Sequence, residues 1–205
     1  MFSLIGNSGL SNESIKLSQS EIREYKGENL SSINDFHENS ITGPQYIDIN
    51  TYSLKIIGLV ENSQSLTYNQ VLSEQSYEKV VTLYCVEGWN AKILWKGVLL
   101  KDLIEKAKLK DGANTIIFKA YDGYSSSLPL AYVYDNNILL AYNMNSLPLF
   151  PERGFPFQVV AESKWGYKWV KWVTEIEIGN DPTYKGFWES RGYSVNGDLE
   201  SYYFN

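Results

Sequence analysis

Six short runs of β-branched and aromatic residues set the main constraint on how this chain folds. They lie at 52–60, 79–85, 115–120, 137–142, 157–161 and 169–178, with Gly, Pro, Asn or Asp turns between them. Such runs read as strands, because branched and aromatic side chains pack well on a pleated surface. Helical periodicity is scarcer. Over 98–109, Leu99, Leu100, Leu103, Ile104 and Ala107 fall at three- and four-residue spacing, one apolar stripe of a helix that Asp111-Gly112 stops. Residues 67–72 predict a short helix with Thr67 as its N-cap, and 129–135 a helical turn. Many strands with few helices predict an α+β fold, mixed and largely β.

A chain of 205 residues is long enough for one good core, and 43% hydrophobic with 20% charged residues marks a globular protein. Residues 1–30 are polar and predict a flexible or loosely docked arm, leaving 31–205 as a single domain. Residues 33–48 and 148–156 read as loops, and 186–205 as an aromatic, turn-rich tail. The 16 Tyr and 6 Trp suit either a rich core or a deep, partly polar pocket, since each ring carries a hydrogen-bonding tip. A net charge of −6 without a long basic run argues against a nucleic-acid partner. No apolar stretch reaches the ~18–20 residues of a transmembrane helix, and the first ten residues lack the features of a signal peptide.

The chain has one cysteine, Cys85, and one histidine, His37. That excludes an internal disulfide, a cysteine-built zinc site, an iron–sulfur cluster and a polyhistidine metal site. A redox metal in this chain must therefore bring most of its own ligands. A lone cysteine at a strand end reads, by itself, as a buried core residue. The sequence Cys85-Val-Glu-Gly-Trp89 instead sets the thiol before a glycine turn, at a sheet edge where reactive groups are displayed. A Cys–His hydrolase, with His37 as its base, stays open at this point.

Five segments in order carry a resemblance. They are Cys85-Val-Glu-Gly-Trp89 with Trp95-Lys-Gly97; Asp122-Gly-Tyr-Ser-Ser-Ser-Leu-Pro129; Leu139-Leu-Ala-Tyr-Asn-Met-Asn145 with Arg153-Gly-Phe-Pro156; Lys164-Trp-Gly-Tyr-Lys-Trp-Val-Lys-Trp172; and Gly186-Phe-Trp-Glu-Ser-Arg-Gly-Tyr193. Together they resemble the sulfite-oxidase-like molybdopterin-binding oxidoreductases, from about residue 34 to 193. The residues after the cysteine are more similar to the branch holding the bacterial protein-methionine-sulfoxide reductase catalytic subunit than to the sulfite oxidases themselves.

The resemblance implies a fold of the sulfite oxidase molybdopterin-binding type and a molybdenum–molybdopterin cofactor. Cys85 would be the protein's metal ligand and a catalytic residue, its soft thiolate joining the two sulfurs of the pterin dithiolene. Tyr124 would be a second catalytic residue, its phenol bonding a metal-bound or substrate oxygen; a packed aromatic is the alternative. Asn34, His37, Glu38, Ala120, Asp122, Arg153, Gln158, Lys168, Trp169, Val170 and Lys171 would contact the cofactor, the last three wrapping its phosphate with Lys168 and Arg153 near in sequence. Relatives usually carry arginine where this chain has Gln158, and proline where it has Glu162. The implied reaction is oxygen-atom transfer to or from a small or protein-borne S-oxide or related substrate. Electrons would pass through a separate partner, a haem protein or quinone-linked subunit. An exported or outer-face location follows from the resemblance, and a cytoplasmic one is the alternative. A cofactor-free binding protein that keeps the fold is the competing reading, motivated by Gln158.

Overall fold

A computed structural model describes Asn12 and residues 19–204 of the chain. In chain order the strands and helices are β1 (Glu24–Tyr25), β2 (Glu28–Asn29), β3 (Leu54–Gly58), β4 (Gln64–Leu66), α1 (Tyr68–Leu72), β5 (Ser76–Tyr84), β6 (Asn90–Leu99), α2 (Leu100–Ala107), β7 (Thr115–Ala120), β8 (Ser125–Pro129), α3 (Leu130–Asp135), β9 (Leu139–Met144), β10 (Leu147–Pro148), β11 (Gln158–Val160) and β12 (Val173–Gly179). Beyond the small β1–β2 hairpin they form two five-stranded sheets. One runs β10-β9-β6-β5, with β11 also pairing β9; the other runs β4-β3-β12-β7-β8. All pairs are antiparallel except β3 with β12. The expected α+β class with a largely β core is what the chain adopts.

Each sheet follows from its residue pattern. In β12, Ile176 and Ile178 point into the core while Glu175 and Glu177 face outward, where both reach Lys119 of β7 at 2.7 Å. The central strand β6 is covered on both faces, with Ile93, Leu94, Trp95 and Val98 all buried. Gly97 of β6 sits where a Cβ would lie 2.2 Å from the Leu140 carbonyl oxygen, so only glycine lets β6 and β9 approach this closely. The α2 stripe of Leu100, Leu103, Ile104 and Ala107 is buried in the core that the two sheets share.

Several boundaries differ from the sequence reading. Strand β6 alternates only in part: Ala91, Ile93 and Trp95 are buried and Lys92 and Lys96 are half-buried, but the buried Leu94 and a register shift between Lys96 and Gly97 interrupt the pattern. It takes Val98 and Leu99, so α2 begins two residues later than the periodicity suggests. Strand β8 is built largely of serines; Ser126 and Ser127 are buried, and Ser126 Oγ donates to Glu189 at 2.5 Å. Residues 169–172 are not strand: they wrap from a 3-10 turn at Gly166–Lys168 into β12, with Trp172 at φ 51°. Thr67 caps α1 as expected, accepting from Gln70 N while the Gln70 side chain accepts from Thr67 N.

Of the polar N-terminal stretch, residues 1–11 and 13–18 lie outside the described residues. Residues 21–31 are docked. The Glu21 carboxylate accepts from Ser32 Oγ, Ile33 N and Asn145 Nδ2, and Ser31 N donates to Lys92 O of β6. That docking fixes where the chain enters residues 33–41.

Candidate active site

Cys85 is the first residue of the loop joining β5 to β6. Its N–H donates to Trp89 O at 2.9 Å and its carbonyl accepts from Gly88 N at 3.0 Å, which closes a tight turn. Gly88 has φ 91°, a conformation that side chains with a Cβ resist. The β5–β6 ladder ends at the pair of Tyr84 with Asn90, so the turn carries Cys85 past its last rung. The sulfur is nevertheless covered: Cys85 is 8% exposed. Asn39 Nδ2 lies 4.0 Å from Sγ and Glu87 Oε2 3.9 Å. Burial pushes the thiol above its ordinary range, and the Glu87 charge adds to the effect. The Lys164–Trp172 segment comes alongside through a bridge between Tyr84 and Trp165.

These elements enclose a cavity of about 270 Å³ with Cys85 in its wall. Of the residues singled out in the sequence, His37, Asp122, Tyr124, Arg153, Gln158, Trp169 and Lys171 line it with Cys85. Arg153 is 3% exposed, and burial pushes its guanidinium down to about 10, so it remains a cation at neutral pH. Its Nη2 donates to Phe36 O at 3.0 Å. Burial likewise lowers Lys171, whose Nζ lies 3.0 Å from Glu38 Oε1 and 4.3 Å from the Trp172 ring centroid. Gln158, 4% exposed, faces the same space from β11.

Other expected residues are placed elsewhere. Lys168 does not line the cavity. It is fully buried, with Nζ 2.7 Å from Glu189 Oε1 and 2.7 Å from the Val195 carbonyl, so a structural ion pair takes the place of the expected cofactor contact. Asn34, Glu38, Ala120 and Val170 do not line the cavity. Tyr124 lines the cavity, but its hydroxyl donates to Tyr167 O at 2.5 Å, and burial holds the phenol well above its ordinary range. Its proton is engaged by the backbone, so it is not free to donate to a substrate oxygen. His37 is exposed and tilted against Trp89, 5.6 Å between ring centroids. The recorded partners of Sγ are Asn39 and Glu87, not His37, and the raised thiol is unlike the activated nucleophile of a Cys–His hydrolase.

The sequence reading passed over three contributors. Glu87, within the Cys85 motif, brings a carboxylate to the sulfur. Tyr193 lines the cavity, and burial raises its phenol, with the neighbouring Cys85 and Glu87 adding to the effect. Asn39 approaches Sγ from a loop distant in sequence. Glu87 had a local signal, its spacing of two residues from the cysteine, and Tyr193 ends the fifth of the family-like segments; Asn39 reaches the sulfur through tertiary folding alone.

The donor set fits a pterin–molybdenum group. A soft sulfur, one buried and one half-buried cation and an amide share one aromatic-walled space, near the low end of the ~300–1,000 Å³ usual for ligand sites. Comparison with known proteins agrees. The profile of the oxidoreductase molybdopterin binding domain matches residues 41–188. The oxidoreductase YuiH of Bacillus subtilis (strain 168) is 35% identical over 156 residues, covering 76% of this chain and 78% of YuiH. A putative protein-methionine-sulfoxide reductase subunit, YedZ1 of Azospira oryzae, is 28% identical over 72% of this chain and 56% of its own length. The sulfane dehydrogenase SoxCD structure from Paracoccus pantotrophus shares the fold, with a TM-score of 0.69 at 24% identity over 78% of this chain and 44% of that one. The chain thus belongs to the oxidoreductase molybdopterin-binding domain family, as a sulfite-oxidase-like enzyme whose cofactor is a molybdenum–pterin.

Proposed function

We propose that this chain transfers an oxygen atom from a neutral S-oxide, small or protein-borne, with Cys85 as the protein ligand to molybdenum. The observation that carries this reading is the Glu87 carboxylate 3.9 Å from Sγ. A negative group beside the reacting centre repels sulfite, nitrate and other oxyanions, while a neutral S-oxide meets no such charge. The two cations of the cavity, Arg153 beside the Phe36 carbonyl and Lys171 beside Glu38, are the groups that would take the cofactor's phosphate, so neither is assigned to an anionic substrate at the sulfur. The YedZ1 relative, named for protein-methionine-sulfoxide reduction, supports the same branch.

When bound, the cofactor supplies the two-electron centre that gives or accepts the oxygen atom. The chain's own groups do the rest. Cys85 would hold the metal, and Arg153, Gln158 and Lys171 would hold the pterin and its phosphate. The rings of Trp89, Tyr193 and Trp188 wall the space and limit water. Tyr124 locks the Tyr167 carbonyl and so holds the 166–168 turn in place. Reduction of an S-oxide to a sulfide and water takes up two electrons and two protons. With a single cysteine and a single histidine the chain has no iron–sulfur ligand set of its own, so a haem protein or quinone-linked subunit is the proposed electron partner.

The test is Cys85→Ser. Serine places a hard oxygen where the metal takes a soft sulfur. The variant should fold, keep part of its pterin, and lose reduction of dimethyl sulfoxide or methionine sulfoxide with a reduced viologen dye as donor. Full turnover would remove Cys85 from the mechanism, and a parent that turns over sulfite but no S-oxide would overturn the substrate class.

A further inference from the structure

The two cations of the cavity are held by one segment. Arg153 reaches the Phe36 carbonyl at 3.0 Å and the Ile33 carbonyl at 3.4 Å, and its guanidinium lies 5.3 Å from the Phe36 ring centroid. Lys171 reaches Glu38 at 3.0 Å, with each side chain 17% exposed. Between and beyond these anchors, Phe36, His37, Asn39 and Ser40 line the cavity. Residues 33–40 therefore form a strap across it, fastened at one end to backbone carbonyls and at the other to a charge.

The two fastenings differ in kind. A carbonyl held by Arg153 does not compete with a phosphate for the whole of a guanidinium, which has five donors. A carboxylate on Lys171 does compete, because both anions seek the same ammonium. Resting on the reading that Lys171 receives the cofactor's phosphate, we propose that Glu38 is an internal stand-in for that phosphate. It neutralises Lys171 in the cofactor-free chain and is displaced as the cofactor enters. The half-buried setting makes the exchange necessary. Without a partner, Lys171 would be a desolvated charge; with both anions beside it, the like charges of carboxylate and phosphate would repel in a medium that screens them weakly. The displaced carboxylate has a place to go, since Ser40 Oγ already donates to its other oxygen at 3.2 Å. Glu38 thereby keeps the cavity formed before loading and lowers the apparent affinity for the cofactor.

The experiment loads cofactor-free protein with limiting molybdenum–pterin cofactor and counts bound molybdenum by elemental analysis, alongside the melting temperature of the cofactor-free form. Glu38→Gln should tighten cofactor binding roughly tenfold or more, the scale of one charge-assisted contact, while lowering the melting temperature of the empty protein. Glu38→Asp keeps the charge but shortens the reach, and should shift both readings in the same directions by less. In a Lys171→Ala background, Glu38→Gln should change affinity by under about twofold, because the shared target is gone. If Glu38→Gln and Glu38→Asp bind cofactor less tightly than the parent, or equally tightly, Glu38 is a ligand or a bystander and the exchange is wrong. If Lys171→Ala alone leaves molybdenum content unchanged, the phosphate assignment itself falls, separately from the exchange.

Discussion

At the residue scale, Gln158 is the departure that most directly bears on cofactor affinity. It lies in β11 with its backbone paired to Ala141, and its side chain faces the cavity beside Arg153 and Trp169. An arginine fork engages two phosphate oxygens at once, whereas glutamine offers a neutral amide. Gln158→Arg should therefore raise molybdenum occupancy at limiting cofactor, with the larger gain at low salt. Overpacking against Arg153 opposes this by about 1–3 kcal/mol, but the cavity of about 270 Å³ leaves room for the longer side chain. Occupancy measured at two salt concentrations checks it; a fall at both means that Gln158 is an adapted contact. Cys85 shows the limit of local reading. Its place at a strand end was legible in 79–85, but its cover by Asn39, 46 residues away, was not.

At the scale of elements, the β5–β6 hairpin carries the site, and β6 owes its position to β9. Gly97→Ala should force these two strands apart, since the added Cβ meets backbone at 2.2 Å and 2.6 Å rather than a movable side chain. The cost should reach at least the ~1–3 kcal/mol of ordinary overpacking, or roughly 2–12 °C in melting temperature for a chain of this size. A thermal melt of the cofactor-free protein decides it, and an unchanged midpoint would show that the sheet relaxes freely. Strands β3, β7 and β12 were readable because one face alternates or the run is β-branched. Strands β6 and β8 were not: in the first the buried Leu94 and a register shift at Lys96–Gly97 interrupt the alternation, and the second is polar yet buried.

At the scale of the molecule, a buried ion pair ties the chain's last segment to the site. Lys168 and Glu189 are both fully buried and 2.7 Å apart, and burial lowers the Lys168 ammonium from its ordinary range. Glu189 Oε2 has no hydrogen-bond partner among the described residues. Removing one member leaves the other desolvated. Lys168→Met should cost about 3–5 kcal/mol, or roughly 6–20 °C. The double variant Lys168→Met with Glu189→Leu should melt higher than Lys168→Met alone, since no unpaired charge stays inside. It should not regain the parent's midpoint, because Ser126 Oγ and the Val195 carbonyl lose their partners. If the double variant melts below the single one, the pair's contribution lies in packing rather than charge.

What the sequence by itself determined is local or compositional. One cysteine and one histidine restrict any redox metal to a cofactor with its own ligands, and the ordered motifs from Cys85 to Tyr193 point to the family. Short-range chemistry placed the Thr67 cap, the α2 stripe and the Gly88 turn, because neighbours along the chain decide those. Tertiary structure decided which charges are available. Lys168 and Lys171 are three residues apart in one motif, yet one is sealed against Glu189 in the core and the other faces the cavity beside Glu38. No spacing rule separates them, since a cation's role depends on which distant carboxylate the fold brings to it and on how much water remains around the pair.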